Sequence, residues 1–274
     1  MTEQGTSFHD FEHQGWSTEE IATGYHDALS PIKTQTVGAL LDAAGVGRGT
    51  RVADVATGAG YAAAAAAERG AVVVGVDFST AQLALARRLY PGVEFREGDA
   101  GALPFPDGSL DAVVSNYGVP HFPDPDAFLR EALRVLRSGG RIASSVWAAP
   151  AESVGLGIVY GAVQAHGRMD VSLPPGPNFF LFSDPAQCER SLQAAGFRSA
   201  AVTKVPQVWR VASPDAPFEA VMRGTVRAAA LLRAQTPEAL AAIRDAIRKA
   251  ASAYTRDGAI ELMMPAVIAA AERP

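Results

Sequence analysis

The sequence has 274 residues, of which 48% are hydrophobic, and its formal net charge is −5. A chain of this length and composition can bury a substantial core within one or two domains. The acidic balance, with Lys and Arg scattered along the chain, gives no electrostatic footprint for DNA or RNA. We therefore expect no nucleic-acid partner, and a small-molecule substrate fits better than a polyanion.

The cysteine content and the apolar runs indicate which kinds of site and which location the protein can have. Cys188 is the only cysteine, which excludes an intrachain disulfide and a cysteine zinc site, and we expect no metal. The residues after Met1 lack a basic segment followed by an apolar core, so no signal peptide is expected. No run reaches the roughly 18 apolar residues that a membrane span needs. These features predict a cytoplasmic protein without a membrane partner, and they leave a homodimer open.

The first part of the chain alternates short apolar strands with helices. A polar N-terminal arm or lid helix over residues 1–30 precedes a segment with helical spacing at 31–44. This alternation predicts an α/β fold with a doubly wound parallel sheet. The predicted strands are 51–55, 72–76, 93–96, 110–116 and 141–147, and the helices between them are 59–69, 79–90 and 125–136, the last stopped by Gly139-Gly140.

After Trp147 the alternation stops. A Pro-rich, aromatic segment leads to a predicted helix that begins at Ser183-Asp184-Pro185. A sixth strand is predicted at 202–211, and a last one within 258–270. The predicted domain scheme is an arm at 1–30, a core at 31–150, a cap insertion at 151–182, the core continued at 183–212, a helical cap insertion at 213–257, and the last core strand and tail at 258–274.

The most informative motif is Asp54-Val55-Ala56-Thr57-Gly58-Ala59-Gly60, here called the glycine loop, which follows the first strand and opens a helix. Ligands of such sheets bind beyond the carboxyl ends of the strands. Gly58 and Gly60 lack Cβ atoms where the backbone must approach a ligand, and the helix start offers free N–H groups. Asp77 ends the next strand and is placed to accept both ribose hydroxyls of an adenosine.

The glycine loop alone leaves the cofactor open. With Ala63 it also matches the G-x-G-x-x-A pattern of nicotinamide and flavin enzymes. Asp54 argues against a pyrophosphate at this position, because like charges at short range repel. The methionine part of S-adenosylmethionine carries an ammonium and a sulfonium, which suit a nearby carboxylate. The alternative for Asp54 is a solvated acid at a strand end.

Two further turns follow predicted strands. Asp99 is placed to accept a hydrogen bond from an adenine amino group while the Ala100 N–H donates to the ring. A simple turn acid is the alternative for Asp99. Asn116 and Tyr117 follow the fourth strand, where we expect the amino-acid end of the cofactor.

These motifs resemble those of the class I S-adenosylmethionine-dependent methyltransferases, especially the bacterial small-molecule branch similar to the ubiquinone and menaquinone methyltransferases. The glycine loop matches their motif I, Asp77 their ribose acid, Asp99-Ala100 their adenine motif, and residues 103–111 the usual approach to the fourth strand. The resemblance covers about residues 37–147. It implies a Rossmann-like, seven-stranded, mostly parallel sheet with helical cap insertions.

The resemblance also implies which residues bind the cofactor, S-adenosyl-L-methionine, and its product, S-adenosyl-L-homocysteine. The chain departs from the family at Ala56, where many members have Gly and Ala should be harmless, and at Gln82, where a Met or Leu often packs near the adenine. The expected cofactor-binding residues are Tyr25, Asp54, Ala56, Thr57, Gly58, Gly60, Asp77, Phe78, Gln82, Asp99, Ala100, Asn116 and Tyr117.

Methyl transfer from a sulfonium needs mainly positioning, and a base only where the acceptor must lose a proton. His121 follows the fourth strand, and it is the candidate base because an imidazole can accept a proton near neutral pH. The alternative is a histidine that packs on the lid or orders the loop. Tyr25 is a candidate for the methionine carboxylate, with packing as its alternative. The expected substrate-pocket residues are Tyr117, His121, Trp147, Phe179, Phe180 and Trp209, although such aromatic residues more often belong to the core.

The predicted function is therefore methyl transfer to an O, N or C centre of a small aromatic or apolar metabolite, as in secondary metabolism. One alternative is a cyclase or isomerase on the same fold, in which the sulfonium acts as a fixed positive charge. A non-catalytic binding protein on this scaffold is another, and a nicotinamide reductase is a poorer one.

Overall fold

The structure is a computed structural model that describes residues 7–274; residues 1–6 of the predicted N-terminal arm lie outside it. The chain forms two compact units, each built from separate segments. The helix-rich unit contains the described residues up to Ile32, Ala148–Gly176 and Pro206–Pro265, and the sheet unit contains Lys33–Trp147, Pro177–Val205 and Ala266–Pro274.

The helices and strands follow one another in both units. The helices are α1 (Phe8–Trp16), α2 (Glu19–Lys33), α3 (Val37–Ala43), α4 (Tyr61–Glu68), α5 (Thr80–Leu89), α6 (Pro125–Val135), α7 (Val154–His166), α8 (Pro185–Ala194), α9 (Ala216–Gly224), α10 (Arg227–Arg233) and α11 (Pro237–Ser252). The strands are β1 (Arg51–Val55), β2 (Val72–Asp77), β3 (Glu94–Glu97), β4 (Leu110–Asn116), β5 (Leu136–Trp147), β6 (Arg198–Val205), β7 (Val208–Val211), β8 (Thr255–Arg256), β9 (Ala259–Met263) and β10 (Ala266–Glu272).

The sheet unit contains a seven-stranded sheet in the order β3-β2-β1-β4-β5-β10-β6. From β3 to β5 every neighbouring pair is parallel, whereas β10 runs antiparallel to both β5 and β6. The order reverses at β1 and β4, so the carboxyl ends of these strands flank the crevice where ligands of open α/β sheets bind. The predicted fold class, a doubly wound Rossmann-like seven-stranded and mostly parallel sheet, is confirmed.

The alanine run of α4 explains how this helix packs on the sheet. Ala63 and Ala66 are fully buried, and Ala62 nearly so. Small side chains allow a close approach of helix and strands, and the core that they join includes Val52 of β1 and Leu40 of α3. The glycine loop, which connects β1 to α4, is therefore held at both ends by packed elements.

Prolines divide two of the predicted strands. The segment 202–211 is not one strand, because β6 ends before Pro206 and β7 joins a second sheet, ordered β7-β9-β8, in the helix-rich unit. The segment 258–270 is likewise divided at Pro265 into β9 of the second sheet and β10 of the first. A proline has no N–H for a strand ladder, so the chain leaves one sheet at each proline before it enters the other.

The predicted start of the fifth strand was also wrong. Helix α6 ends at Val135, and β5 begins at once, at Leu136, rather than at 141. Gly139 and Gly140, predicted as a helix stop, lie within β5. Gly139 has φ +74° and donates its N–H to the Arg273 carbonyl, so the left-handed residue belongs to a strand irregularity next to the C-terminal segment.

The helix-rich unit has its own apolar core between α7, α9, α10 and α11. The segment predicted as a helical cap insertion, 213–257, forms three helices there, followed by β8. Gln207 is buried, and its side-chain amide donates to the Ile32 carbonyl over 2.7 Å. Among the described helices, none has both the length and the apolar character to cross a bilayer. The buried core includes Val159, Val163, Phe218, Leu232, Ile243 and Ile247.

Candidate cofactor site

Asp54 is the central side chain of the candidate site in the sheet unit. It is the last residue but one of β1, within the buried part of the strand, and is 1% exposed. Its Oδ2 atom accepts hydrogen bonds from Thr57 Oγ1 (2.6 Å) and from the Ala63 N–H (2.9 Å). Its Oδ1 atom is buried and has no hydrogen-bond partner among residues 7–274. A buried oxygen of this kind is costly unless a donor arrives, so Oδ1 points to a ligand.

Burial also controls the charge of this group. Desolvation raises the pKa of the Asp54 carboxyl to about 7, although the hydrogen bonds from Thr57 and Ala63 lower it. The nearby Asp77 raises the pKa further, and the positive charge of Lys33 lowers it. A cationic ligand beside Oδ1 would favour the ionised form at neutral pH.

Asp77, at the end of β2, fastens the glycine loop to the neighbouring strand. Its Oδ2 atom accepts from the Gly58 N–H (2.8 Å), and its Oδ1 atom accepts from the Ser79 N–H (2.9 Å). Burial raises the pKa of Asp77, whereas these two hydrogen bonds lower it. Each carboxylate oxygen can accept a second hydrogen bond, so both remain available to hydroxyl groups. Binding of ribose by Asp77 stays a prediction.

The backbone of the glycine loop is left-handed at three residues. Ala56, Gly58 and Gly60 have φ values of +55°, +54° and +86°. A methyl group on Gly60 would lie 2.7 Å from the Phe95 ring, so this glycine is required by packing. At Gly58 the nearest atom would be Gln82 Oε1 at 3.7 Å, which leaves room for a ligand. Ala56 has a side chain in this region, where a non-glycine residue costs about 1–2 kcal/mol.

Gln82 supplies a second acceptor beside the loop. The residue is 4% exposed, and its Oε1 atom is buried without a partner among the described residues. Phe78 is half-buried between Asp77 and the start of α5. By contrast, Asp99 is exposed, and its Oδ1 atom accepts from the Gly101 N–H at 2.7 Å. That turn is compatible with a simple turn acid, and adenine binding by Asp99 and Ala100 stays a prediction.

The end of β4 is built from tightly packed polar and aromatic side chains. Asn116 Oδ1 accepts from Ser145 Oγ (2.7 Å). Tyr117 has φ +63°, is 2% exposed, and shares a hydrogen bond with the Thr36 hydroxyl over 2.8 Å. Its ring stacks on that of Trp147, with centroids 4.1 Å apart. The strained backbone of Tyr117 is therefore held by its own side chain. The cofactor and pocket roles of these residues stay predictions.

His121 lies in a short 3₁₀ turn just beyond β4 and is half-buried. The edge of its ring meets Phe179, with centroids 5.5 Å apart, and Phe179 meets Phe180 in the same manner at 5.1 Å. A protonated His121 ring would be among the influences that lower the pKa of Asp77. Three of the predicted pocket residues therefore lie together in the sheet unit.

Lys33 is a functional candidate that sequence reasoning missed. The residue is 6% exposed, and its Nζ atom lies 5.6 Å from the centre of the Tyr61 ring. Burial lowers the pKa of the Lys33 ammonium to about 7, although Asp54 and Asp77 raise it. It ends α2, outside the strand-and-loop pattern, and a lysine at a helix end normally indicates solvent. The one available signal was a lysine in a chain whose basic residues are mostly arginine.

Two predicted residues belong to the helix-rich unit. The edge of the Tyr25 ring meets Trp16, with centroids 4.9 Å apart. Trp209 is buried, and its indole N–H donates to the Ala28 carbonyl over 3.2 Å. Contact of Tyr25 with the cofactor and of Trp209 with a substrate stays a prediction.

The sequence is similar to known proteins over the segment that carries these motifs. Residues 53–144 match the family described as Methyltransferase domain. A demethylmenaquinone methyltransferase of Beutenbergia cavernae is 44% identical over 112 residues, which cover 41% of this chain and 47% of that protein. One from Renibacterium salmoninarum is 38% identical over 136 residues, covering 48% of this chain and 57% of that protein. The chain therefore spans about half the length of the curated relatives it matches.

Among solved structures, a similar one is the Haemonchus contortus phosphoethanolamine N-methyltransferase 2 in complex with phosphomonomethylethanolamine and S-adenosylhomocysteine. The TM-score is 0.59 at 20% identity, and the alignment covers 98% of this chain and 60% of that chain. At this identity the likeness shows the fold alone.

Residues 53–144 match a methyltransferase-domain family, and the strand order is that of a doubly wound sheet. The matched segment is similar to the corresponding part of the demethylmenaquinone methyltransferases.

Proposed function

We propose that the protein transfers a methyl group from S-adenosylmethionine to an O, N or C centre of a small aromatic or apolar molecule. The observation that carries this proposal is the buried Asp54 Oδ1 near the end of β1, which has no hydrogen-bond partner among the described residues. It lies next to a loop with room at Gly58. An ammonium is the donor that a buried carboxylate oxygen takes best, and a pyrophosphate is the group that it repels.

Three residues of the sheet unit offer hydrogen-bond acceptors to the cofactor. Asp54 Oδ1 would accept from the amino group, the remaining capacity of Asp77 would serve the ribose hydroxyls, and Gln82 Oε1 offers an acceptor beside the loop. The bound cofactor supplies an electrophilic methyl group on a sulfonium. The protein's contribution is to hold that group in line with the acceptor and to exclude water.

His121 is the proposed base, where the acceptor must lose a proton. Its ring lies against Phe179, which in turn meets Phe180, so the base stands beside an apolar surface suited to a planar ring. The names of the curated relatives favour a quinol-like acceptor. We therefore place hydroxylated naphthalenes and related quinols first among the substrates, and secondary metabolism as the setting.

The experiment is methyl transfer from methyl-labelled S-adenosylmethionine to a panel of hydroxylated naphthoquinols and phenols. We expect a labelled product together with S-adenosylhomocysteine in equal amounts. Thermal shifts with S-adenosylhomocysteine and with NADH form the control, since a ligand that binds the folded state raises its stability. Stabilisation by NADH alone, or conversion of an acceptor with the cofactor left unchanged, would contradict methyl transfer.

The finer statements on partners and location are also proposals. The acidic composition supports a protein without nucleic-acid or membrane partners, and the bacterial relatives are compatible with the cytoplasm. A homodimer is the assembly to test. Light scattering after size exclusion at micromolar concentration measures it directly.

A further inference from the structure

We propose that Lys33 binds the carboxylate at the amino-acid end of the cofactor and makes the pocket selective for adenosyl ligands that keep this group. The inference rests on the proposed function, because it names a contact within the same cofactor pocket. It also explains why a lysine is buried among acidic side chains.

The strand order places Lys33 at the correct end of the pocket. In neighbouring strands, Asp99 follows β3, Asp77 ends β2, and Asp54 is the last residue but one of β1. Asn116 ends β4. An adenosine held by Asp77 and Asp99 would lie over β2 and β3, which leaves β1 and β4 for the amino-acid end.

Two contacts fix Lys33 over that end of the sheet. Asn116 Nδ2, from the end of β4, lies 3.4 Å from the Lys33 carbonyl and donates to it. The Lys33 ammonium lies over the ring of Tyr61, the residue that follows Gly60 and starts α4. The side chain therefore extends from the end of β4 towards the start of α4, beside the glycine loop.

The charges of the pocket match a zwitterion. Asp54 offers the ammonium of the ligand a carboxylate oxygen that has no partner within residues 7–274. The carboxylate of the same ligand needs a cation within a few ångströms, since an unpaired buried charge is costly. Lys33 is the cation whose field acts on both Asp54 and Asp77. Burial lowers its pKa to about 7, and an arriving carboxylate would raise it again.

The alternative to a carboxylate contact is a purely electrostatic role for Lys33. As a simple counterion of Asp54 and Asp77, the lysine would stabilise the pocket without contacting the ligand. Its loss would then change the affinity for every adenosyl ligand alike. A carboxylate contact instead predicts an effect that depends on one group of the ligand.

The test compares two ligands that differ only in that group, by titration calorimetry on the full chain. S-Adenosylhomocysteine carries the carboxylate, and its decarboxylated analogue keeps the adenosine, the thioether and the ammonium. We expect the wild type to bind S-adenosylhomocysteine at least about tenfold more tightly than the analogue, as expected for a charge-assisted hydrogen bond. In Lys33→Met this preference should fall to within about twofold, whereas Lys33→Arg should keep most of it.

Lys204→Met serves as the matched control, because Lys204 is an exposed lysine on the edge strand β6 of the same unit. It should leave the preference unchanged. A preference that persists in Lys33→Met, or equal weakening of both ligands, would overturn the carboxylate contact. If Lys33→Met does not fold, the wild type still decides, since equal binding of the two ligands excludes the contact. A wild type that binds neither ligand would instead overturn the proposed function.

Discussion

Four buried polar side chains, two in each unit, differ in how their hydrogen bonds are satisfied. In the helix-rich unit, the amide of Gln207 and the indole of Trp209 each donate to a main-chain carbonyl, and so tie chain segments together. In the sheet unit, Asp54 and Gln82 each bury an oxygen without a partner among the described residues. Such atoms reduce stability, and proteins keep them where a ligand will satisfy them. The comparison therefore contrasts two side chains that tie chain segments together with two side chains beside the glycine loop that we expect a cofactor to satisfy.

The largest expected effect comes from the core of the helix-rich unit. Ile247 is fully buried there, and Ile247→Ala should lower the free energy of unfolding by about 2–5 kcal/mol through the cavity it creates. The affinity of the folded fraction for S-adenosylhomocysteine should stay within threefold of wild type. Chemical denaturation measures the stability, and calorimetry measures the affinity. A large loss of affinity with stability intact would contradict a purely structural role for Ile247.

Asp54→Asn should lower the affinity for the cofactor and leave the stability of the ligand-free protein intact. The amide can still accept from Thr57 and Ala63 but no longer attracts an ammonium, so affinity for S-adenosylmethionine should fall by about a hundredfold. Stability without ligand should be equal or higher, because a costly buried charge is removed. Calorimetry and thermal melts check both. Asp111→Asn removes a carboxylate bound by Arg51 and Arg137 in the same unit, and this control should lose stability but not affinity.

The cost of burying the Asp54 carboxylate should also be visible in how the stability of the ligand-free protein changes with pH. Burial raises the pKa of Asp54 from about 4 in the unfolded chain to about 7 in the folded protein. Between these two pH values the Asp54 carboxyl is protonated in the folded state and ionised in the unfolded state. The free energy of unfolding of ligand-free wild type should therefore lose an Asp54 contribution of at least about 1 kcal/mol as pH rises from 4 to 7. Asp54→Asn should lack this decline. Parallel wild-type and variant curves from denaturant titrations over that range would contradict the assignment.

The smallest expected effect concerns Ala56. Its left-handed backbone costs more with a side chain than without one, so Ala56→Gly should stabilise the protein by about 1 kcal/mol or less. Ala63 occupies a helical position in α4, and Ala63→Gly should therefore destabilise by about 1 kcal/mol or more. Thermal melts of the two variants show whether each substitution stabilises or destabilises the protein. Destabilisation by Ala56→Gly would show that the loop is not strained there.

Local rules predicted most of the sheet unit. Apolar runs separated by helical spacing predicted β1 to β4, and the acids after β1 and β2 could be found because side chains at strand ends lie together in a parallel sheet. Lys33 was missed because its position depends on a contact with Asn116 at the end of β4, which is distant in the sequence. Periodicity also cannot show that a strand pattern changes sheets, as the chain does at Pro206 and Pro265.

The packing of aromatic side chains was equally beyond local rules. Tyr117 and Trp147 were expected in a substrate pocket, yet each buries its ring against the other. Their spacing along the sequence gives no indication of this contact. The strained backbone of Tyr117 depends on the same packing, so it too could be found only in the structure.

The most direct measurement of the central claim is a crystal structure of the protein with bound S-adenosylhomocysteine. The amino group of the ligand should lie within about 3 Å of Asp54 Oδ1, as a charge-assisted hydrogen bond requires. A ligand bound elsewhere, or bound at the glycine loop with Oδ1 still unpartnered, would contradict the assignment of this carboxylate to the cofactor.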